Sequence, residues 1–177
     1  MSRPALLAVL LLVVTLAPSA ARAGEVHVGD PLPAFTLPDA QGHPFSPGVL
    51  RGRVAVVDFW ASWCEHCRTA LPALEAMSKR HASDGLLVVA VGIDRDPAKA
   101  DRFLAEYVPE RTMTLLRDPA ASLLARVGAQ GMPALYVVDT TGIVRLVLSG
   151  YTADQLGDVE RLVESLLQQP AGAVAEQ

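Results

Sequence analysis

Val54 to Trp60 is an unbroken run of strand formers apart from Asp58, and Cys64-Glu65-His66-Cys67 follows only three residues later. An apolar run without polar alternation belongs to a strand covered on both faces. From Cys64 to His81 the period becomes helical, with Leu71, Leu74, Met77 and His81 on one face. Pro72 inside that predicted helix is expected to kink it, and Asp84-Gly85 closes it. A covered strand feeding a helix is the start of a βα unit, so the chain reads as α/β.

The remaining pattern extends this unit. Leu86 to Ile93 reads as a second buried strand and Pro97 to Tyr107 as a helix with proline near its first position. Thr114 to Leu116 is a short strand, and Ala120 to Val127 a short helix ended by Gly128. Ala134 to Val138 and Ile143 to Leu148 are strands joined by Asp139-Thr140-Thr141-Gly142, a hairpin composition. Thr152 to Leu167 closes as an amphipathic helix, with Leu156, Val159, Leu162, Val163, Leu166 and Leu167 facing inward. Near the start, the prolines of Gly29 to Pro33 forbid regular structure. Phe35, Leu37 and Val49-Leu50 flank the turn material Asp39 to His43, giving an N-terminal hairpin or extension. The expected architecture is an α/β/α sandwich with a mixed central sheet, parallel crossovers first and an antiparallel hairpin last.

The first residues have the parts of an export signal. Arg3 is followed by the apolar run Ala5 to Ala17, and Ala21-Arg22-Ala23 offers the small-x-small pattern of a signal peptidase site before Gly24. An uncleaved anchor is the lesser alternative, because only 18 uncharged residues separate Arg3 from Arg22 and Pro18 lies among them. The expected division is a signal peptide over 1–23, one domain over 24–170 and a small, polar tail over 171–177. A cleaved signal implies a periplasmic protein, where a cysteine pair can exist as a disulfide. The net charge of −4 shows no basic block, which argues against a nucleic-acid partner.

The two cysteines carry the chemistry. A helix N-terminus presents unpaired N–H groups and partial positive charge, which stabilise a thiolate at the first cysteine. The second cysteine, one turn on, is placed to attack a mixed disulfide. A zinc site needs a second ligand pair that two cysteines cannot supply. Haem attachment fails because Arg68, not histidine, follows Cys67. No metal and no cofactor are expected.

Val57-Asp58-Phe59-Trp60-Ala61-Ser62-Trp63-Cys64 with Cys67 resembles the thioredoxin active-site segment, and Pro72 matches that family's kink proline. Gly131-Met132-Pro133-Ala134-Leu135-Tyr136-Val137-Val138-Asp139 resembles the segment that carries its cis-proline. With the N-terminal extension, the Gly92-Ile93-Asp94 segment and the leader, the chain is similar to the TlpA/ResA-like thiol–disulfide oxidoreductases, which have a redoxin/AhpC-TSA-like domain. The resemblance covers about Gly29 to Leu167 and implies a thioredoxin-like fold. It also implies Cys64 as nucleophile, Cys67 as resolving thiol and Pro133 as a cis residue beside which an extended substrate segment pairs. Met132, Trp63 and Glu65 are the implied substrate-facing side chains. Trp60 is either a wall of the site or core. Arg68 and Glu75 read as solvated helix positions, and His81 as structural.

Asp58 is costly in an apolar strand unless paired or neutralised. The resemblance makes it the acid that accepts the proton of the second cysteine; strand alternation could instead turn it to the other face. Thioredoxin has a lysine opposite this acid on the next strand, where Ala90 stands here. His66 also departs from thioredoxin, which has proline before its second cysteine, whereas the oxidant DsbA has histidine. A histidine there can donate a hydrogen bond or positive charge to the Cys64 thiolate, with Glu65 working against it. The implied partners are cysteine-containing proteins and a membrane or periplasmic redox protein that recharges the pair, with the chain itself a monomer.

Other functions fit less well. Peroxiredoxins share the proline-rich lead-in but require Ser or Thr where Ala61 stands, before a lone cysteine. Copper assembly factors of the Sco type space their cysteines by three residues and use a distant histidine, yet no histidine follows His81. Cytochrome c maturation reductases resemble the chain too, but usually carry Glu where Ala134 follows Pro133.

Overall fold

A computed structural model describes residues 24–169. The expected signal over 1–23 and the tail over 171–177 lie outside the described residues. A short antiparallel ribbon comes first, β1 (Leu37–Pro38) with β2 (Pro44–Phe45). A 3₁₀ turn over Pro47–Leu50 follows, which the periodicity gives no hint of.

The central sheet has five strands: β3 (Ala55–Trp60), β4 (Leu87–Gly92), β5 (Thr114–Arg117), β6 (Ala134–Val138) and β7 (Val144–Ser149). Their spatial order is β5-β4-β3-β6-β7. The β3–β4 and β4–β5 pairs are parallel, and β3–β6 and β6–β7 antiparallel. The long helices are α1 (Cys67–Arg80), α2 (Pro97–Tyr107) and α4 (Leu156–Leu167), with a short α3 (Ser122–Val127). The mixed sandwich is therefore as expected, and element ends differ from the sequence reading by a few residues.

Every residue of β3 is buried, because the sheet is covered on both faces. Val54, Val56 and Trp60 pack with residues of α1, α2 and α4. Ala55, Val57 and Phe59 pack on the opposite face with Leu123 and Val127 of α3 and with Val26, Phe35 and Leu37 of the N-terminal extension. Period-two alternation thus places Asp58 on the face that carries α1, which removes the alternative of an acid turned to the other face.

The helix ends follow their sequence signals. Asp96 caps α2 by accepting from Ala98 N–H at 3.0 Å, with Pro97 in the first turn. A reciprocal capping box of Thr152 and Gln155 precedes α4. His81 is structural: its ring nitrogens meet Asp84 at 3.2 Å and Glu160 at 2.9 Å, tying the end of α1 to α4. Burial opposes protonation of His81, but these acidic partners outweigh it and raise its pKa.

Candidate active site

β3 ends at Trp60, and the chain turns through Ala61, Ser62 and Trp63 to reach the cysteines. Asp94, beyond the end of the neighbouring β4, fixes this turn. Its carboxylate accepts from Ser62 N–H at 2.8 Å and from Ser62 Oγ at 2.6 Å. Cys64 N–H in turn donates to Ala61 C=O at 3.1 Å. Two residues at adjacent strand ends therefore set where the first cysteine sits.

Cys64 and Cys67 are joined in a disulfide with Cα atoms 5.3 Å apart. The helix begins later than the sequence suggests. α1 starts at Cys67 with His66 at its N-cap, while Glu65 and His66 carbonyls accept from Arg68 and Ala70 N–H. Cys64 thus lies in the turn before the helix rather than in its first turn. The second cysteine is covered, at 1% exposure, but so is the first at 5%, a smaller contrast than the roles imply.

Around the pair the surface is open. Trp63 is 64% exposed, and Glu65 and His66 are exposed as well. Trp63 borders a groove of about 370 Å³ lined also by Ile93, Arg95, Lys99, Pro119 and Ala121. Glu65 is drawn toward Arg68, 3.0 Å away. Arg68 is solvated as expected.

Pro133 follows a cis Met132–Pro133 peptide bond. Ala134 is paired with Phe59, so Pro133 lies level with the end of β3 from which the cysteine turn departs. Its carbonyl accepts from Gly150 N–H at 2.8 Å. Met132 is half-buried and packs against both cores at this end of the sheet.

Asp58 is fully buried, between Ala90 on β4 and Leu135 on β6. The register confirms that alanine occupies the place opposite the acid. Burial pushes the Asp58 carboxyl well above the usual carboxylate range, and a hydrogen bond from Tyr151 pulls it part of the way back. The Tyr151 hydroxyl donates to Asp58 Oδ1 at 2.9 Å, whereas Oδ2 has no partner among the described residues. Burial and the adjacent acid both push the Tyr151 phenol up, so it remains a donor.

The sequence reading missed Tyr151, which lies 93 residues from Asp58. The available signal was chemical: a buried tyrosine hydroxyl and a buried carboxyl each need a partner. Of the two readings left open for Trp60 the structure takes core, with the indole stacked on Phe103 at a centroid distance of 5.2 Å. One assignment changes. Glu75 is not solvated; it is buried and accepts from Thr112 N–H at 2.7 Å, Thr112 Oγ1 at 2.9 Å and Met113 N–H at 3.2 Å. It pins the loop before β5 to α1, a contact that helical periodicity cannot reveal.

A family model described as Redoxin matches residues 27–164. The thiol:disulfide interchange protein DsbE of Pseudomonas fluorescens biotype C is 31% identical over 119 residues, which cover 67% of this chain and 64% of that protein. The match thus spans less than two thirds of that relative. The thiol-disulfide oxidoreductase ResA of Geobacillus kaustophilus is 25% identical over 141 residues, covering 80% of this chain and 79% of the relative. A crystal structure from Chlorobium tepidum, assigned as a thiol:disulfide interchange protein DsbE, superposes with a TM-score of 0.75 at 31% identity, covering 81% of this chain and 99% of that one.

Proposed function

The chain belongs to the Redoxin family, and from that premise we propose that it is an exported thiol–disulfide oxidoreductase acting on cysteines of partner proteins. The observation that carries this reading is the closed Cys64–Cys67 pair at the mouth of α1, one short turn from the end of β3, the strand that buries Asp58 and whose end lies level with Pro133.

In the reducing direction, the Cys64 thiolate attacks a substrate disulfide and releases one substrate thiolate. Cys67 then attacks Cys64 Sγ in the mixed disulfide, giving the intramolecular disulfide and the second substrate thiolate. Asp58 takes the Cys67 proton as the attack proceeds. A recharging protein restores the dithiol by the reverse exchange. Run backwards, the same steps oxidise a substrate dithiol.

The groove beside Trp63 gives an extended substrate segment a place to lie next to the disulfide. Ala134 in the position after Pro133 favours general redox maintenance of exported proteins over a dedicated role in cytochrome c maturation. The leader favours the periplasm, with the mature protein beginning at Gly24.

Trapping tests the reading. Cys67→Ala expressed with its own leader should accumulate mixed disulfides through Cys64 that dithiothreitol releases, and the recovered chains should start at Gly24 by mass spectrometry. Absence of any Cys64-dependent adduct overturns the oxidoreductase reading. An intact N-terminus recovered only with membranes overturns the cleaved export.

A further inference from the structure

We propose that Tyr151 is a positioning residue of this site: its hydroxyl pins Oδ1 of Asp58, so that Oδ2 is the oxygen that takes the proton of Cys67. The inference rests on the thiol–disulfide reading above.

Among the described residues Tyr151 is the sole donor to Asp58; Trp60 Nε1, two residues along β3, is buried without a partner. The flanking strands offer Ala90 and Leu135, neither of which carries charge. The buried residues of α2 and α4 are apolar. On α1, Glu75 and Ser78 turn to Thr112 instead, leaving Cys67 as the titratable group α1 brings to this core. Tyr151 itself is buried in the cluster that holds Cys67, and its hydroxyl has Asp58 Oδ1 as acceptor.

A lone hydrogen bond on one oxygen does two things. It fixes rotation of the carboxyl, and it marks the unpartnered Oδ2 as the site of protonation, because a proton on Oδ1 would compete with the phenol. A neutral donor also stabilises the carboxylate less than an ammonium would, which keeps the acid ready to accept a proton. In the resolving step, Cys67 S–H gives its proton to Oδ2 while Cys67 Sγ bonds to Cys64 Sγ. The Cys64–substrate S–S bond breaks with its electron pair on the substrate sulfur, which solvent protonates. Asp58 then returns its proton to solvent.

The reaction of reduced protein with dithionitrobenzoate separates the steps. The first equivalent of thionitrobenzoate reports attack by Cys64 and the second reports resolution by Cys67. Tyr151→Phe should leave the first phase unchanged, slow the second by about tenfold at pH 7, and move its pH profile toward higher pH. Difluorotyrosine installed at position 151, a stronger donor of nearly the same shape, should move the profile the other way. Neither change should alter the slow second phase of Asp58→Asn.

An unchanged second-phase profile in both Tyr151 variants, with Asp58→Asn slowed, overturns the positioning role and leaves the oxidoreductase reading intact. Should Tyr151→Phe not fold, the difluorotyrosine protein decides alone. Cys64→Ser retains one thiol, Cys67; release of its single equivalent as fast as the first phase of the parent would instead overturn the oxidoreductase reading itself.

Discussion

Asp58, in the middle of β3, and Asp139, just past the end of β6, are both withdrawn from water, at 0% and 7% exposure. Burial pushes both carboxyls up. At Asp139 the push is more than offset. It accepts from Thr141 N–H at 2.8 Å, Thr141 Oγ1 at 2.7 Å, Ile143 N–H at 3.1 Å and Arg145 Nε at 2.6 Å, and its pKa falls below the ordinary value. Asp58 has one phenol and an unpartnered oxygen, and its pKa rises. A buried acid saturated with donors is a permanent anion that pins a turn. One left short of donors can exchange a proton.

The largest effect expected of this contrast is kinetic. Asp58→Asn should lower turnover with a disulfide substrate by about 10²-fold, near 2.7 kcal/mol of barrier, measured at saturating reductant. Its stability should move the other way. With the folded pKa raised, the contribution of Asp58 is full below the ordinary carboxyl range and is lost as pH rises through the folded value. Urea melts should therefore show the Asn variant gaining on the parent as pH rises across that window; a constant gap would remove the raised pKa.

Asp139→Ala should invert this pattern, keeping turnover per folded molecule while losing about 2 kcal/mol in urea melts through the backbone N–H groups it orphans. Because the folded pKa is lowered, the parent's advantage is present above the ordinary carboxyl value and fades as pH falls through the folded one. Two melting series that slope the same way would break the comparison.

An exposed group sharpens it. His66 sits at the N-cap of α1 with φ of −68°, a value proline shares, and makes no side-chain cap bond. His66→Pro removes the imidazole expected to donate to the Cys64 thiolate and should lower the reduction potential by about 30 mV, or about 1.4 kcal/mol. Glutathione equilibration reads this directly, and a shift under about 10 mV would leave His66 a bystander.

The smallest effect should come from Gly142, whose φ of +88° completes the turn that Asp139 holds. Gly142→Ala should cost about 1 kcal/mol without changing turnover, checked by thermal melts beside the disulfide assay.

What was legible beforehand divides along the same line. The sequence order displays Asp58, Cys64, Cys67 and Pro133 because each lies in a short segment whose composition is unusual for its element. Tyr151 and the partners of Glu75 were not legible. Their contacts join residues 93 and 37 positions apart, and only the assembled sheet brings them together. The start of α1 was misplaced because periodicity runs on through a non-helical turn that Asp94 holds from a neighbouring strand.

The strand order β5-β4-β3-β6-β7 also has a consequence for the order in which the molecule is made. β4, the partner on one side of β3, follows it closely along the chain, but the partner on the other side begins only at Ala134. Until the intervening residues are in place, β3, buried along its whole length in the finished domain, has one row of backbone amides and carbonyls open to any passing strand. Such an open edge invites mispairing. A nascent chain truncated before Ala134 would be sticky, and one carried through Ser149 would have closed that edge with its own hairpin.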